Sequence, residues 1–214
     1  MRDSARVRRS QADRSNATKT ALLDATVACL IEDGFTRTTT TAVAQRAGVS
    51  LGALVHHYPS KADLLTAAVS HLLERRLSEF RKIMANVDPG ADLLDASIDA
   101  LWSMFSGPTF TAWVELWVGA RTDPELAMAV TRVDREFVEA SSELFAEMFP
   151  AAGEFDNEMF RRVGLHTAFV LMGGLALSSM IEEYEPHPAP AVTDAFKAMA
   201  HALLAAEASS RRMS

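Results

Sequence analysis

Gly48 separates two short stretches that each have helical periodicity, and the residues around it leave this part of the chain few conformations to choose from. Thr39 or Thr40 can cap a helix in which Val43, Ala44 and Ala47 share one face. A glycine tolerates the left-handed backbone that ends such a helix, Val49 fills the corner, and Ser50 is placed to cap the next one. Pro59 closes that second helix early, with Leu54 and Tyr58 turned inward. Ser60 and Asp63 then form a capping box for a third helix starting at Lys61. Residues 39–64 therefore predict a helix-turn-helix with a third helix locked behind it.

The run A-G-V-S-x-G-x-L-x-x-H-Y-P-S-K-x-x-L from Ala47 to Leu64, after a threonine-rich entry, resembles the DNA-binding domain of TetR-type transcriptional regulators. The likeness covers residues 15–65 well, and E-L-W-V-x-A-R-T-D-P-E-L at 115–126 is similar to a subgroup of these proteins. Many members carry tyrosines where this chain has Val55 and His57; His57 keeps a hydrogen-bond donor, Val55 has none, and the DNA footprint at both stays open. The resemblance implies a homodimer on a palindromic double-stranded DNA operator and a small-molecule effector; no cofactor is expected. The expected DNA-binding residues are Thr39, Thr40, Ser50, Leu51, Gly52, Ala53, His56, His57 and Lys61. Residues 50–57 form the helix expected in the major groove. Leu51 and Ala53 would meet thymine methyls, Ser50 and His56 would make polar contacts, and Thr40, His57 and Lys61 would hold phosphates.

The net charge of −7 argues against a nucleic-acid partner until its distribution is examined. Residues 1–61 hold nine Lys and Arg against five Asp and Glu, a surplus of four, whereas residues 62–214 hold twelve against twenty-three, a deficit of eleven. A basic head on an acidic body fits a DNA-binding domain joined to a sensor or assembly domain; chance asymmetry is the alternative. Three divisions are expected: a disordered basic arm over residues 1–13, a DNA-binding domain over 14–62, and an effector-binding and dimerisation body over 63–214. The arm, with Arg2, Arg6, Arg8 and Arg9, reads equally as a minor-groove contact and as a solubilising tail.

Periodicity places a first helix over about Ser15 to Asp33, stopping at Gly34 with Phe35 folding back. A long helix over Lys61 to about Ala85 leads into the body. Further helices follow over Leu93–Phe105, Thr109–Ala120, Pro124 to about Phe149, Asn157–Glu183 and Ala191–Ala208. With nine helices and no two-residue alternation, the fold class is all-α. No apolar run is long enough to span a bilayer, the N-terminus lacks a signal-peptide core, and a soluble cytoplasmic protein without a membrane partner is expected. Cys29 is the sole cysteine, lies among apolar neighbours, and reads as a buried small side chain rather than a redox sensor.

Small residues crowd the last two helices, among them Gly164, Gly173, Gly174, Ala195, Ala198 and Ala202; close packing within one subunit and a two-fold dimer both use them. In the resembled family the last two helices of each subunit build the dimer, which is the expectation here. Aromatics cluster in the body. Trp102, Phe105, Phe110, Trp113, Trp117, Phe137, Phe169 and Met172, with Glu115, Arg121 and His166 as polar groups, make either an ordinary core or an effector pocket. No serine nucleophile elbow, phosphate loop or metalloprotease motif is present, and adjacent His56 and His57 point about 100° apart on a helix. Neither enzymatic activity nor a bound metal is expected.

Overall fold

The computed structural model describes residues 11–88, 90–148, 158–180 and 189–212, and these hold nine helices and no strand. In chain order they are α1 (Gln11–Arg37), α2 (Thr40–Ala47), α3 (Leu51–His57), α4 (Lys61–Ala85), α5 (Leu93–Phe105), α6 (Pro108–Ala120), α7 (Pro124–Met148), α8 (Glu158–Ser179) and α9 (Ala189–Arg212). The all-α class is as expected. Helix α1 starts four residues before the predicted Ser15, so residues 11–13 of the expected arm are helical; residues 1–10 of that arm lie outside the described residues, as do the breaks at 149–157 and 181–188.

Two compact units divide the chain: Met1–Glu74 with Thr111–Glu136, and Arg75–Phe110 with Phe137–Ser214. In the first, α1 serves two cores. Leu22, Ala25 and Cys29 pack with Val43 and Ala44 of α2, Leu54 of α3 and Leu64 of α4. Val27 and Leu30 pack instead with Leu65, Val69 and Leu72 of α4, Ala112 and Leu116 of α6, and Leu126, Val130 and Val133 of α7. Consecutive Leu64 and Leu65 point about 100° apart on a helix, which lets one turn of α4 enter both clusters. Burial pushes the Cys29 thiol above its usual value, in keeping with the apolar role read from sequence.

Gly34 interrupts α1 with φ 76° and ψ 170°, a backbone open essentially to glycine alone. The bend is tied down from α6: Phe35 N–H donates to Glu115 Oε2 at 2.7 Å, and Thr38 N–H and Oγ1 both donate to Gly34 O.

In the second unit α5 packs on α8 and α9. Lys197 Nζ lies 2.6 Å from Asp99 Oδ1, and His201 Nε2 lies 2.9 Å from Asp95 Oδ1. Ile98, Leu101, Met104, Phe105, Phe110, Ala168, Met172 and Ala176 are buried. Among them is a buried Arg76.

Candidate nucleic-acid interface

Local chemistry builds the helix-turn-helix step by step. Thr39, in extended conformation, is the N-cap of α2, and its Oγ1 accepts the Ala42 N–H at 3.2 Å. Gly48 ends α2 at φ 68° and ψ 29°; its N–H reaches Gln45 O, and Val49 N–H reaches Ala44 O at 3.0 Å, so two carbonyls left open at the helix end are satisfied. Ser50 then caps α3, accepting the Ala53 N–H at 3.1 Å. Ser60 and Asp63 bond reciprocally: Ser60 N–H donates to Asp63 Oδ2 and Asp63 N–H donates to Ser60 Oγ, both at 3.0 Å. Each of these was legible from the sequence.

A Cβ at Gly48 would meet no atom within 4 Å, so substitution there is resisted by backbone conformation and not by space. Gly48→Ala is expected to lower unfolding free energy by about 1–2 kcal/mol, measured by urea denaturation, without altering the surface that α3 presents.

That surface is unusual for a seven-residue helix. Leu54 is completely buried, while Leu51 is 46% and Val55 48% exposed. Gly52 and His56 are also exposed, Ala53 and His57 half-buried. Exposed apolar side chains beside short polar ones suit the major groove, where thymine methyls alternate with hydrogen-bonding edges. Among the phosphate candidates, Thr39 is exposed and Thr40 half-buried at the start of α2, whose N-terminal amides favour an anion.

Burial shifts the titration of both His57 and Lys61 toward the neutral form. Burial, with a smaller contribution from His56 and Lys19, holds the His57 imidazole below its ordinary value, so at neutral pH it is an uncharged donor. A DNA phosphate favours the protonated form. Operator affinity is therefore expected to rise as buffer falls from about pH 7.5 to about pH 6, and His57→Gln should flatten that dependence in anisotropy titrations. Lys61 is half-buried with its Nζ 4.6 Å from the Phe35 ring centroid, and burial lowers its pKa while Asp123 opposes the shift. To reach a phosphate the ammonium must swing off that ring.

The residues expected to bind an effector fall into both units. Trp113, Glu115, Trp117 and Arg121 belong to the unit that contains the helix-turn-helix. There Trp113 packs on the core, Trp117 is 50% exposed with its ring 6.4 Å from Trp113, and Arg121 is exposed. Glu115 is committed to Phe35 N–H. Trp102, Phe105, Phe110, Phe137, His166, Phe169 and Met172 belong to the other unit. Phe105 lies 5.0 Å from Phe110 and 6.0 Å from Phe169, and Phe137 lies 5.1 Å from Phe169, so four of the rings form one cluster. Trp102 is half-buried, Met172 buried and His166 exposed. Arg76, absent from the sequence-based set, lies under these rings, with its guanidinium carbon 4.9 Å from Phe105, 5.6 Å from Phe137 and 5.8 Å from Phe110. The signal was available: Leu65, Val69, Leu72 and residue 76 follow the spacing of a single buried face.

Comparison with known proteins agrees with this architecture. The family model described as bacterial regulatory proteins, tetR family, matches residues 22–68, spanning the core of α1 through the first turns of α4. An uncharacterized HTH-type transcriptional regulator of Mycobacterium tuberculosis is 32% identical over 152 residues, covering 71% of this chain and 77% of the relative. The HTH-type transcriptional regulator CymR of Pseudomonas putida is 33% identical over 125 residues, covering 58% of this chain and 62% of CymR. Among solved structures, a TetR-family transcriptional regulator from Rhodococcus sp. superposes with a TM-score of 0.71 at 20% identity, covering 87% of this chain and 98% of that one. The multidrug binding protein EbrR, complexed with imidazole, superposes with a TM-score of 0.59 at 22% identity, covering 83% of this chain and 91% of that one. The helix-turn-helix geometry and the relatives lead to one assignment: the chain belongs to the TetR family of DNA-binding transcriptional regulators.

Proposed function

We propose that the protein is a homodimeric repressor that binds a palindromic operator through α3 and releases it when a small, largely apolar molecule occupies the helical body. The observation that carries the reading is the surface of α3, on which Leu51 and Val55 stand in solvent around a buried Leu54 anchor. A dimer is supported by Val170 and Leu177 of α8 and Met199 and Leu203 of α9, all large, apolar and exposed. A small-molecule effector is supported by the aromatic cluster in the second unit, and EbrR, similar in fold, is by its name a multidrug binder. No helix among the described residues is long and apolar enough to cross a membrane, which accords with a cytoplasmic regulator. The role is one of binding and not of chemical conversion.

Release follows from spacing. Two recognition helices must sit about 34–36 Å apart, or a multiple of that, to engage successive major grooves. Helix α4 is continuous from Lys61 to Ala85, so a ligand that tilts it changes that separation. A hundredfold preference of the ligand for the splayed state is about 2.7 kcal/mol, enough to vacate an operator that is not heavily saturated.

The second reading, a DNA-binding dimer controlled by a protein partner, is favoured by exposed Trp117, Val118 and Met128 on α6 and α7. A gel-shift assay on DNA flanking the gene separates the two, since only the first predicts release by small molecules. In the same assay Lys61→Ala is expected to weaken binding to all sequences alike and to reduce the salt slope by about one unit, whereas Leu51→Ala should change sequence preference. Loss of the Lys61–Phe35 contact alone removes only about 0.5–1 kcal/mol of stability, so the variant remains folded. Unchanged affinity and preference in both variants would refute the assignment of α3 to the groove.

A further inference from the structure

Arg76 is an uncommon object, an arginine only 5% exposed with no carboxylate at ion-pair distance among the described residues. A guanidinium offers five N–H donors in one plane. Here Nη2 reaches Met104 O at a long 3.4 Å, and Nε has no hydrogen-bond partner. Glu79 is the acidic residue whose field reaches Arg76, but its Oε1 already accepts from Arg75 Nε at 3.2 Å. The phenyl rings of Phe105, Phe110 and Phe137 attract the cation, yet they carry no oxygen or nitrogen to accept its N–H groups. Burial accordingly lowers the Arg76 pKa to about 10, which leaves the group charged at neutral pH and short of a counter-charge.

Structural arginines buried at such cost are ordinarily held by a carboxylate in bidentate geometry. We propose that Arg76 anchors a ligand site in the second unit that takes an aromatic monocarboxylate, the carboxylate on the guanidinium edge that includes Nε and the aromatic body among Phe105, Phe110, Phe137 and Phe169. The planar fork matches two carboxylate oxygens. A phosphate, with three oxygens and a greater charge, would need further donors, and the neighbours of Arg76 are phenyl rings. The tilted rings, 46° between Phe105 and Phe110 and 31° between Phe137 and Phe169, accept a flat apolar body by offset or edge contacts. Gly173 lies within reach of the same cluster: a Cβ there would be 3.6 Å from Phe105 Cε1 and 3.8 Å from Phe110 Cζ, so a larger residue would press on these rings.

This proposal rests on the effector reading above and narrows it, from any small apolar molecule to one with an anionic head. The test is calorimetric titration of the full-length protein with 2-naphthoate and with its uncharged analogue 2-naphthamide, in wild type, Arg76→Met and Arg76→Lys. Methionine keeps much of the apolar stem volume, and replacing an uncompensated buried charge by an apolar side chain is tolerated or stabilising, so the variant folds. Wild type is expected to prefer the carboxylate by roughly a hundredfold, Arg76→Met to bind both compounds with equal, weak affinity, and Arg76→Lys to keep part of the preference without the fork. An unchanged preference in Arg76→Met, or tighter wild-type binding of the amide, overturns the anion site and leaves the effector reading standing. Failure of both compounds to bind wild type overturns the anion site too. If a wider set of neutral apolar compounds also fails to bind, the effector reading falls with it.

Discussion

Replacing Val170 and Leu177 together by aspartate is expected to turn the protein into a monomer and to lower operator affinity by at least about a hundredfold, because linked half-site binding contributes that much or more. Val170, Gly174 and Leu177 follow one another at spacings of four and three along α8, and all three are exposed. Helix α9 shows the same pattern with Ala195, Ala198, Met199, Ala202 and Leu203, where small residues permit close approach and the larger ones supply apolar area. A two-fold axis through such a face would set the new carboxylates of one subunit near those of the other. Both positions are exposed in the single chain, so the substitutions leave folding within about 0.5 kcal/mol, and circular dichroism should match wild type. Sedimentation should show the monomer, and anisotropy the weakened binding. A variant that stays dimeric with its operator affinity intact would mean that the dimer uses another surface. The two central glycines give an internal control, since Gly174 faces open space whereas Gly173 faces the Phe105 and Phe110 rings. Gly174→Leu should disturb assembly, and Gly173→Leu the interior of the second unit.

Gly119→Ala is expected to destabilise the unit that contains the helix-turn-helix by about 1–3 kcal/mol, the range for overpacking a well-filled interior. A Cβ at Gly119 would lie 2.4 Å from Phe35 Cε2 and 2.5 Å from two neighbouring ring atoms. The ring has little room to yield. Its own residue donates the N–H to Glu115, its face carries the Lys61 ammonium, and it follows directly on the left-handed Gly34. Moving it therefore loosens the end of α1 and the start of α4 together. For a chain of this size the change corresponds to a melting temperature lower by roughly 2–4 °C per kcal/mol. Gly164→Ala is the matched control: it lies in α8, is exposed, and a Cβ there meets nothing within 4 Å. It should stabilise slightly, as alanine does in a helix interior. Equal melting temperatures for the two variants would show that Phe35 is not the lock described here.

What could be read from sequence was local. The caps at Thr39 and Ser50, the left-handed Gly48 and the Ser60–Asp63 box each involve residues at most five positions apart, and each stands in the structure as read. Long-range commitments could not be read in this way. Glu115 looked like a polar group for a ligand, but its partner, the Phe35 N–H, lies eighty positions away in sequence. Trp117 shares its helix with Trp113, yet one is half exposed and the other packs on the core, because burial of α6 depends on helices that periodicity alone does not locate. Arg76 is hard to read for a different reason: a charged residue on an apolar stripe ordinarily sits at the helix edge, with its stem along the core and its head in water. Only its neighbours show that the head is inside. Gly173 and Gly174 present the same difficulty on a smaller scale, since adjacent glycines on a helix belong to opposite roles and the sequence does not distinguish them.

The most direct test of a dimer that reads DNA through α3 is selection of bound duplexes from a random-sequence pool by the full-length protein, followed by sequencing of the enriched set. The expected result is an inverted repeat whose half-site centres lie about 10 base pairs apart, or a multiple of that, with base preference that shifts in Leu51→Ala and disappears in the Val170, Leu177 double variant. Enrichment of no motif, or of a motif without inverted repetition that is indifferent to Leu51, would contradict it.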